Sequence, residues 1–141
     1  MREQVRERKG DPFSVRFGAA TDRAIEAEAR RVRRSKSAVV EALADEAMRM
    51  RQFPGIGFRD DDARRRPWII GSGLDIWEIC EIVDAFGSIE QVLDAYELTD
   101  QQIRLALAYK ERYPEEIEQA IAENNRTPEE WLELYPFIRT D

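Results

Sequence analysis

The stretch Pro12-Phe13-Ser14-Val15-Arg16-Phe17 decides the fold that the sequence predicts. Its apolar side chains alternate with Pro12, Ser14 and Arg16, which is the pattern of a short β-strand with one buried face. A strand of this length is not stable alone, and the residues that follow it read as helix. The pattern therefore predicts that two copies of the chain pair these strands as an antiparallel ribbon, which has the width of the DNA major groove.

Two amphipathic helices are predicted after this strand. Gly18 ends the extended run, and Ile25, Ala29 and Val32 recur at helical spacing over residues 19–33. A polar turn follows, after which Ser37 is expected to cap a second helix. That helix runs to about Met50, with apolar side chains at Val40, Leu43, Ala44, Ala47 and Met48.

Residues 12–52 resemble the ribbon-helix-helix repressors of the MetJ/Arc/CopG class, which read DNA with a β-ribbon. The resemblance rests on the alternating residues 13–17, on the turn Arg34-Ser35-Lys36-Ser37 and on the spacing between them. It departs from the class at Gly18, where many members have proline and an acidic residue. The resemblance implies an obligate dimer in which Ser14 and Arg16 contact base edges. It also implies phosphate contacts, since the amides that open a helix attract anions, from Arg33, Arg34, Lys36, Ser37 and Ala38.

Charge is distributed unevenly along the chain. Residues 1–70 carry 17 Lys and Arg against 12 Asp and Glu, whereas residues 71–141 carry 5 against 17. Nucleic acid suits the basic half, and a partner of another kind suits the acidic half. Residues 1–11 read as a basic mobile arm, which is either a solvated terminus or a segment that orders on phosphate.

Residues 53–125 read as a β-hairpin followed by a helix-turn-helix-like unit. Strands are predicted at about 56–59 and 67–70, with a charged tip between them. The three aspartates of this tip are interpreted as a solvated loop and not as a metal site, because adjacent side chains diverge. Capping boxes at Asp75/Glu78 and Thr99/Gln102, and a cap at Ser88, predict three helices over 75–112. The first should carry an apolar stripe that Gly87 ends, consisting of Ile76, Ile79, Cys80, Val83 and Phe86. A further helix should begin at Pro114 and end near Asn124.

A second resemblance covers about residues 54–125. It is carried by Gly73-Leu74-Asp75-Ile76-Trp77-Glu78-Ile79, by Gly87-Ser88-Ile89-Glu90 and by Leu98 through Tyr109. These resemble a small helix-turn-helix family, catalogued as a domain of unknown function, that is commonly found in antitoxins paired with PIN-like (VapC-type) ribonuclease toxins. This chain departs from it at Leu74 and in its acidic surface. Because nonspecific DNA affinity depends on cation–phosphate pairing, we expect this half to contact protein and not DNA.

Residues 126–141 form a C-terminal apolar segment. Thr127-Pro128-Glu129-Glu130 predicts a new helix start, with a cap, an N1 proline and acidic residues in the first turn. Two interpretations stay open: a helix that folds back on its own core, or a segment that docks into a partner's groove. The partner-binding residues of the second interpretation are Trp131, Leu132, Tyr135, Phe137 and Ile138.

Composition excludes several classes of function. The chain has no histidine and one cysteine, which removes the common catalytic bases and most zinc sites, so we expect neither an enzyme nor a cofactor or metal. No signal peptide or membrane-spanning run is present, which predicts a cytoplasmic, nucleoid-associated protein of a bacterium or archaeon.

The sequence thus predicts a mainly α fold with short β elements. The leading hypothesis is a toxin–antitoxin antitoxin that binds operator DNA as a dimer, or as a tetramer, and neutralises a PIN-like ribonuclease toxin through its acidic half. The alternative is a ribbon-helix-helix repressor without a toxin, whose second domain oligomerises or senses a ligand. An interaction scaffold with no role on DNA is the third hypothesis.

Overall fold

A computed structural model describes residues 9–60, 65–125 and 133 of the chain. Within these residues the protein has six helices and one two-stranded antiparallel sheet, which confirms the mainly α fold with short β elements. The chain divides into two compact units, one ending at Val40 and the other beginning at Glu41. This division lies inside the second helix, whereas the sequence analysis places its domain boundary at the end of that helix.

The first unit contains α1 (Ala19–Val32) and the beginning of α2 (Lys36–Gln52). The Gly18 carbonyl accepts the first helical hydrogen bond from the Asp22 amide at 2.9 Å. Arg33 ends α1 in the left-handed conformation, with φ 55° and ψ 46°. Among the described residues of this unit only Ile25 and Val39 are buried, so its own apolar core is very small.

Ser35, and not Ser37, caps α2. The Ser35 hydroxyl accepts a hydrogen bond from the Ala38 amide at 3.1 Å, and the Ser35 carbonyl accepts one from Val39 at 3.1 Å. The predicted cap at Ser37 was therefore wrong by two residues. The left-handed turn at Arg33 redirects the chain early, so that Ser35 already stands at the helix entrance.

Residues 9–18 form no helix or strand within the single chain, and all of them are exposed. The side chain of Phe13 is 85% exposed, that of Val15 56% and that of Phe17 37%. The predicted strand would pair with the same strand of a second copy. Because the structure contains a single chain, the ribbon stays a prediction. Phe13 and Val15 are thus mostly open to solvent, whereas more than half of the Phe17 surface is covered.

The second unit opens with the predicted hairpin, formed by β1 (Ile56–Arg59) and β2 (Arg66–Ile69). The strands pair antiparallel, with Ile56 opposite Ile69 and Arg59 opposite Arg66. The second strand begins one residue earlier than predicted. The middle of the tip, residues 61–64, lies outside the described residues, and with it the predicted solvated aspartate loop.

Four helices complete the second unit: α3 (Ile76–Phe86), α4 (Ile89–Ala95), α5 (Asp100–Arg112) and α6 (Pro114–Asn124). The predicted local signals are confirmed. Capping boxes open α3 and α5, Ser88 caps α4, Gly87 ends α3 with φ 83°, and a proline stands in the first turn of α6.

The core of the second unit lies where the hairpin, α3, α5 and α6 meet. It is built from buried side chains of every element, of which the largest are Tyr109, Ile56, Ile69, Ile76, Ile79, Ile103 and Ile117. Phe86 departs from the predicted stripe: it is exposed and packs edge-on against exposed Tyr96, with ring centroids 5.7 Å apart. It is the last residue of α3. None of the helices in the described part of the chain is long and apolar enough to cross a bilayer.

Candidate functional site

The predicted base-contacting residues lie in the exposed extended segment before α1. Ser14 and Arg16 are both exposed, as are the apolar residues between and beside them. Neither side chain is taken up by a contact that would have to break before it met DNA. Polar and apolar side chains of residues 12–17 are therefore all exposed to solvent.

The predicted phosphate contacts cluster at the turn between α1 and α2. Arg33 and Arg34 are exposed there, and the Arg34 amide donates to the Ala29 carbonyl at 3.1 Å. Lys36 instead pairs with Asp22 on α1, and its ammonium also lies 3.8 Å from a Glu26 carboxylate oxygen. The hydrogen bond to Asp22 is the main cause that raises the pKa of Lys36 above its ordinary value.

The start of α2 places Ser37 and Ala38 in its first turn, where backbone amides point out of the helix. Ser37 is exposed. The Ala38 amide donates to Ser35, so its capacity for a phosphate is already occupied. Of the two predicted amide contacts, Ser37 has the more open position.

An ion pair centred on a buried carboxylate organises the hairpin. Asp75, 3% exposed, accepts hydrogen bonds from Arg59 at 2.6 and 2.8 Å and from the Trp77 indole at 3.2 Å. The Arg66 guanidinium lies 3.6 Å from the same carboxylate, and the Arg59 guanidinium stands 4.8 Å from the ring centroid of Trp68. The charge is thus fully paired, which is the condition for burying it.

A second cluster joins the end of α2 to α5 and α6 within the second unit. The Arg49 guanidinium donates to the Tyr109 hydroxyl at 2.7 Å and to Glu116 at 2.6 Å, and lies 4.0 Å from the ring centroid of Tyr113. Burial opposes the charge of Arg49, but its hydrogen bonds to Glu116 and Tyr109 outweigh that effect and raise its pKa. Burial, followed by the negative charge of Glu116, raises the pKa of Tyr109 above its ordinary value.

Both clusters were missed by the sequence analysis, and each for the same reason. The partners are separated by 16 residues in the first case and by 60 and 67 in the second. The only local signal was the capping box, which identified Asp75 as a helix start but gave no hint of its arginine partner. Both clusters are structural, because every charge in them meets an opposite charge.

The remaining predicted site residues, Trp131, Leu132, Tyr135, Phe137 and Ile138, lie outside the described residues. In α5, Arg104 pairs with Asp100 at 2.8 Å. In the ranges 9–60 and 65–125, no three side chains of His, Cys, Asp or Glu are grouped so that they could hold a metal ion.

Comparison with known proteins identifies one region of similarity. Residues 60–109 match a family described as a protein of unknown function (DUF433). The match covers roughly a third of the chain, from the hairpin tip through most of α5, and supplies no activity. No curated protein and no solved structure matches the chain.

Proposed function

We propose that the protein is an antitoxin of a type II toxin–antitoxin pair, which binds operator DNA as a dimer and neutralises a PIN-like ribonuclease toxin. The observation that carries the proposal is the exposure of Phe13, Val15 and Phe17 immediately before two helices. Alternating apolar side chains on an open backbone edge are a template for pairing with another strand. A second copy of the same segment provides that strand in matching register.

Pairing two copies of this segment buries the three apolar side chains between the ribbon and the helices. Ser14 and Arg16 then face outward twice, once from each copy. Arg16 has the planar, two-pronged donor set that matches O6 and N7 of guanine in the major groove, and Ser14 suits an adjacent base edge. Arg33 and Arg34 at the turn supply positive charge for the flanking phosphates.

The acidic half fits a different partner. Residues 71–141 carry 17 Asp and Glu against 5 Lys and Arg, and the early cation of α5, Arg104, is neutralised by Asp100. Such a surface repels phosphate and attracts a basic protein. A ribonuclease needs basic surface to hold the phosphates of its RNA, so the acidic half can bind that surface while the basic half stays on DNA. The apolar residues of 126–141 supply the hydrophobic part of the contact.

Operator binding by Arg16→Ala and Arg104→Ala tests the DNA part of the proposal. The operator is first recovered by co-purifying bound DNA with the tagged chain from its native host, together with any bound toxin. Loss of Arg16 should weaken operator binding by about 1–3 kcal/mol and relax specificity at one base position. Arg104→Ala removes the same type of side chain, 63% exposed, from the acidic unit and should leave binding unchanged.

The same two variants can also refute the ribbon mechanism. Unchanged operator affinity of Arg16→Ala at matched salt, or a loss in Arg104→Ala that equals it, would refute the ribbon mechanism. Recovery of operator DNA without any ribonuclease would favour the toxin-free repressor instead.

A further inference from the structure

A groove of about 460 Å³ runs along one side of α6 in the second unit. Its floor and walls include Pro67 on β2, Trp77 on α3, and Ile117 and Ala120 on α6, and it reaches Asn124 at the end of that helix. Arg65 and Arg66 also line it. The groove thus offers apolar surface along most of α6, bordered by charged side chains of both signs, since Glu116 and Glu123 also line it.

The chain leaves α6 on the side of this groove. The helix ends at Asn124, and the amide group of the next side chain, Asn125, donates to the carboxylate of Glu81 on α3. Trp77 lies one helical turn before Glu81 on the same helix and lines the groove. The end of α6 therefore lies beside the groove wall that α3 provides.

The sequence that follows matches the groove in length and in pattern. Residues 125–127 suffice for the short loop that joins antiparallel helices. A helix over Pro128–Tyr135, which Pro136 must end, would be about 12 Å long, against about 16 Å for the 11 residues of α6. Its apolar side chains Trp131, Leu134 and Tyr135 share one helix face by their spacing.

We infer that residues 128–138 bind in this groove of their own chain when no partner is present. The place where α6 ends and the length and apolar pattern of the segment identify it as the occupant, whereas Arg65 and Arg66 of the groove are already paired with Glu46 and Asp60. A three-residue tether gives the segment an effective concentration in the millimolar range, which neither a second copy nor a free partner reaches in the cell.

The contact itself does not depend on the proposed function. Its regulatory consequence does rest on that function: the contact would control when the antitoxin can bind its toxin. The same apolar residues cannot fill the groove and a toxin at once, so the toxin must draw the segment out. The free antitoxin then keeps its aromatic side chains covered and protected from proteases, and becomes competent to bind in a single opening step.

The test compares the full chain with Ala120→Arg and Ala122→Arg by amide hydrogen exchange and by the indole N–H resonance of Trp131, assigned with Trp131→Phe. Ala120 lines the groove, whereas Ala122 is exposed on α6 and lies outside it. In the wild type and in Ala122→Arg, amides of residues 129–135 should be protected by about tenfold or more relative to Ala120→Arg. The Trp131 resonance should move to the free-peptide position only in Ala120→Arg.

Equal exchange of residues 129–135 in all three proteins would overturn the inference, as would protection that falls on dilution, which would identify a second copy as the occupant. Unchanged exchange of the core amides of α3 and α5 shows that Ala120→Arg still folds. Because neither DNA nor toxin enters the experiment, its failure would leave the proposed function standing.

Discussion

Alkaline pH should destabilise the protein through Cys80, and a Cys80→Ala variant should lack this part of the loss. The thiol lies on α3, 3% exposed, with its sulfur 3.7 Å from the Ala106 carbonyl oxygen. Burial raises the pKa of the Cys80 thiol from 9.0 to about 11, because a thiolate would lose its hydration there. The folded protein therefore resists an ionisation that the unfolded chain allows.

The size of the effect follows from the difference between the two pKa values. Since the folded pKa is the higher one, the stability contributed by the neutral thiol is complete below pH 9 and is lost between pH 9 and pH 11. Two pKa units correspond to about 2.7 kcal/mol. Removal of the sulfur also costs about 1 kcal/mol of packing, but that cost is the same at every pH.

Urea unfolding from pH 8 to pH 11, followed by circular dichroism under a reducing agent, measures the effect. The gap in free energy of unfolding between wild type and Cys80→Ala should narrow, or change sign, by about 2–3 kcal/mol over this range. The ionisation of Tyr109, whose pKa is also raised, affects both proteins and cancels. Parallel pH dependences would refute the assignment of a protected thiol.

Three further changes test other parts of the structure. Asp75→Ala should lower the free energy of unfolding by about 2–3 kcal/mol, because it removes a helix cap and leaves Arg59 without its buried partner. The control Asp100→Ala, which breaks an exposed pair, should lower it by about 0.5 kcal/mol. Equal urea midpoints for the two variants would contradict this expectation. Arg33→Gly should stabilise the protein against urea by about 1 kcal/mol, because glycine adopts the left-handed turn without strain. In a gel-shift assay with the operator, the same variant should bind more weakly, because it lacks a proposed phosphate contact. Deletion of residues 127–141 should preserve operator affinity and reduce toxin neutralisation, and full inhibition by the shortened chain would exclude a role for that segment in docking.

Local signals in the sequence predicted most of the second unit. The capping boxes at Asp75 and Thr99, the serine at position 88 and the left-handed Gly87 each act through hydrogen bonds or backbone freedom within a few residues. The structure of such a segment depends mainly on its own composition. Helix starts and ends were therefore predictable to within one or two residues.

Interactions between distant segments were not predictable in the same way. The pairs Arg59–Asp75 and Arg49–Glu116 depend on how the hairpin and α2 pack on the helical core. Many arginines and acids of similar local context compete for such pairings, so the sequence offers no rule that selects these. Phe86 shows a different limit of the sequence pattern. Its helical spacing was predicted correctly, but the last turn of α3 is exposed, so Phe86 does not join the core.

In the second half of α2 a charged side chain is partly buried, whereas apolar side chains are exposed. Arg49 on one side is held by Tyr109 and Glu116 of its own unit, whereas Leu43 and Met50, which share another side, are 48% and 41% exposed. A helix that served only a monomer would bury its apolar side and leave the polar side in water. Phe13 is likewise exposed to solvent, although it belongs to the apolar face of its segment. The proposed dimer accounts for both features, because a second copy would cover apolar side chains that the single chain leaves exposed.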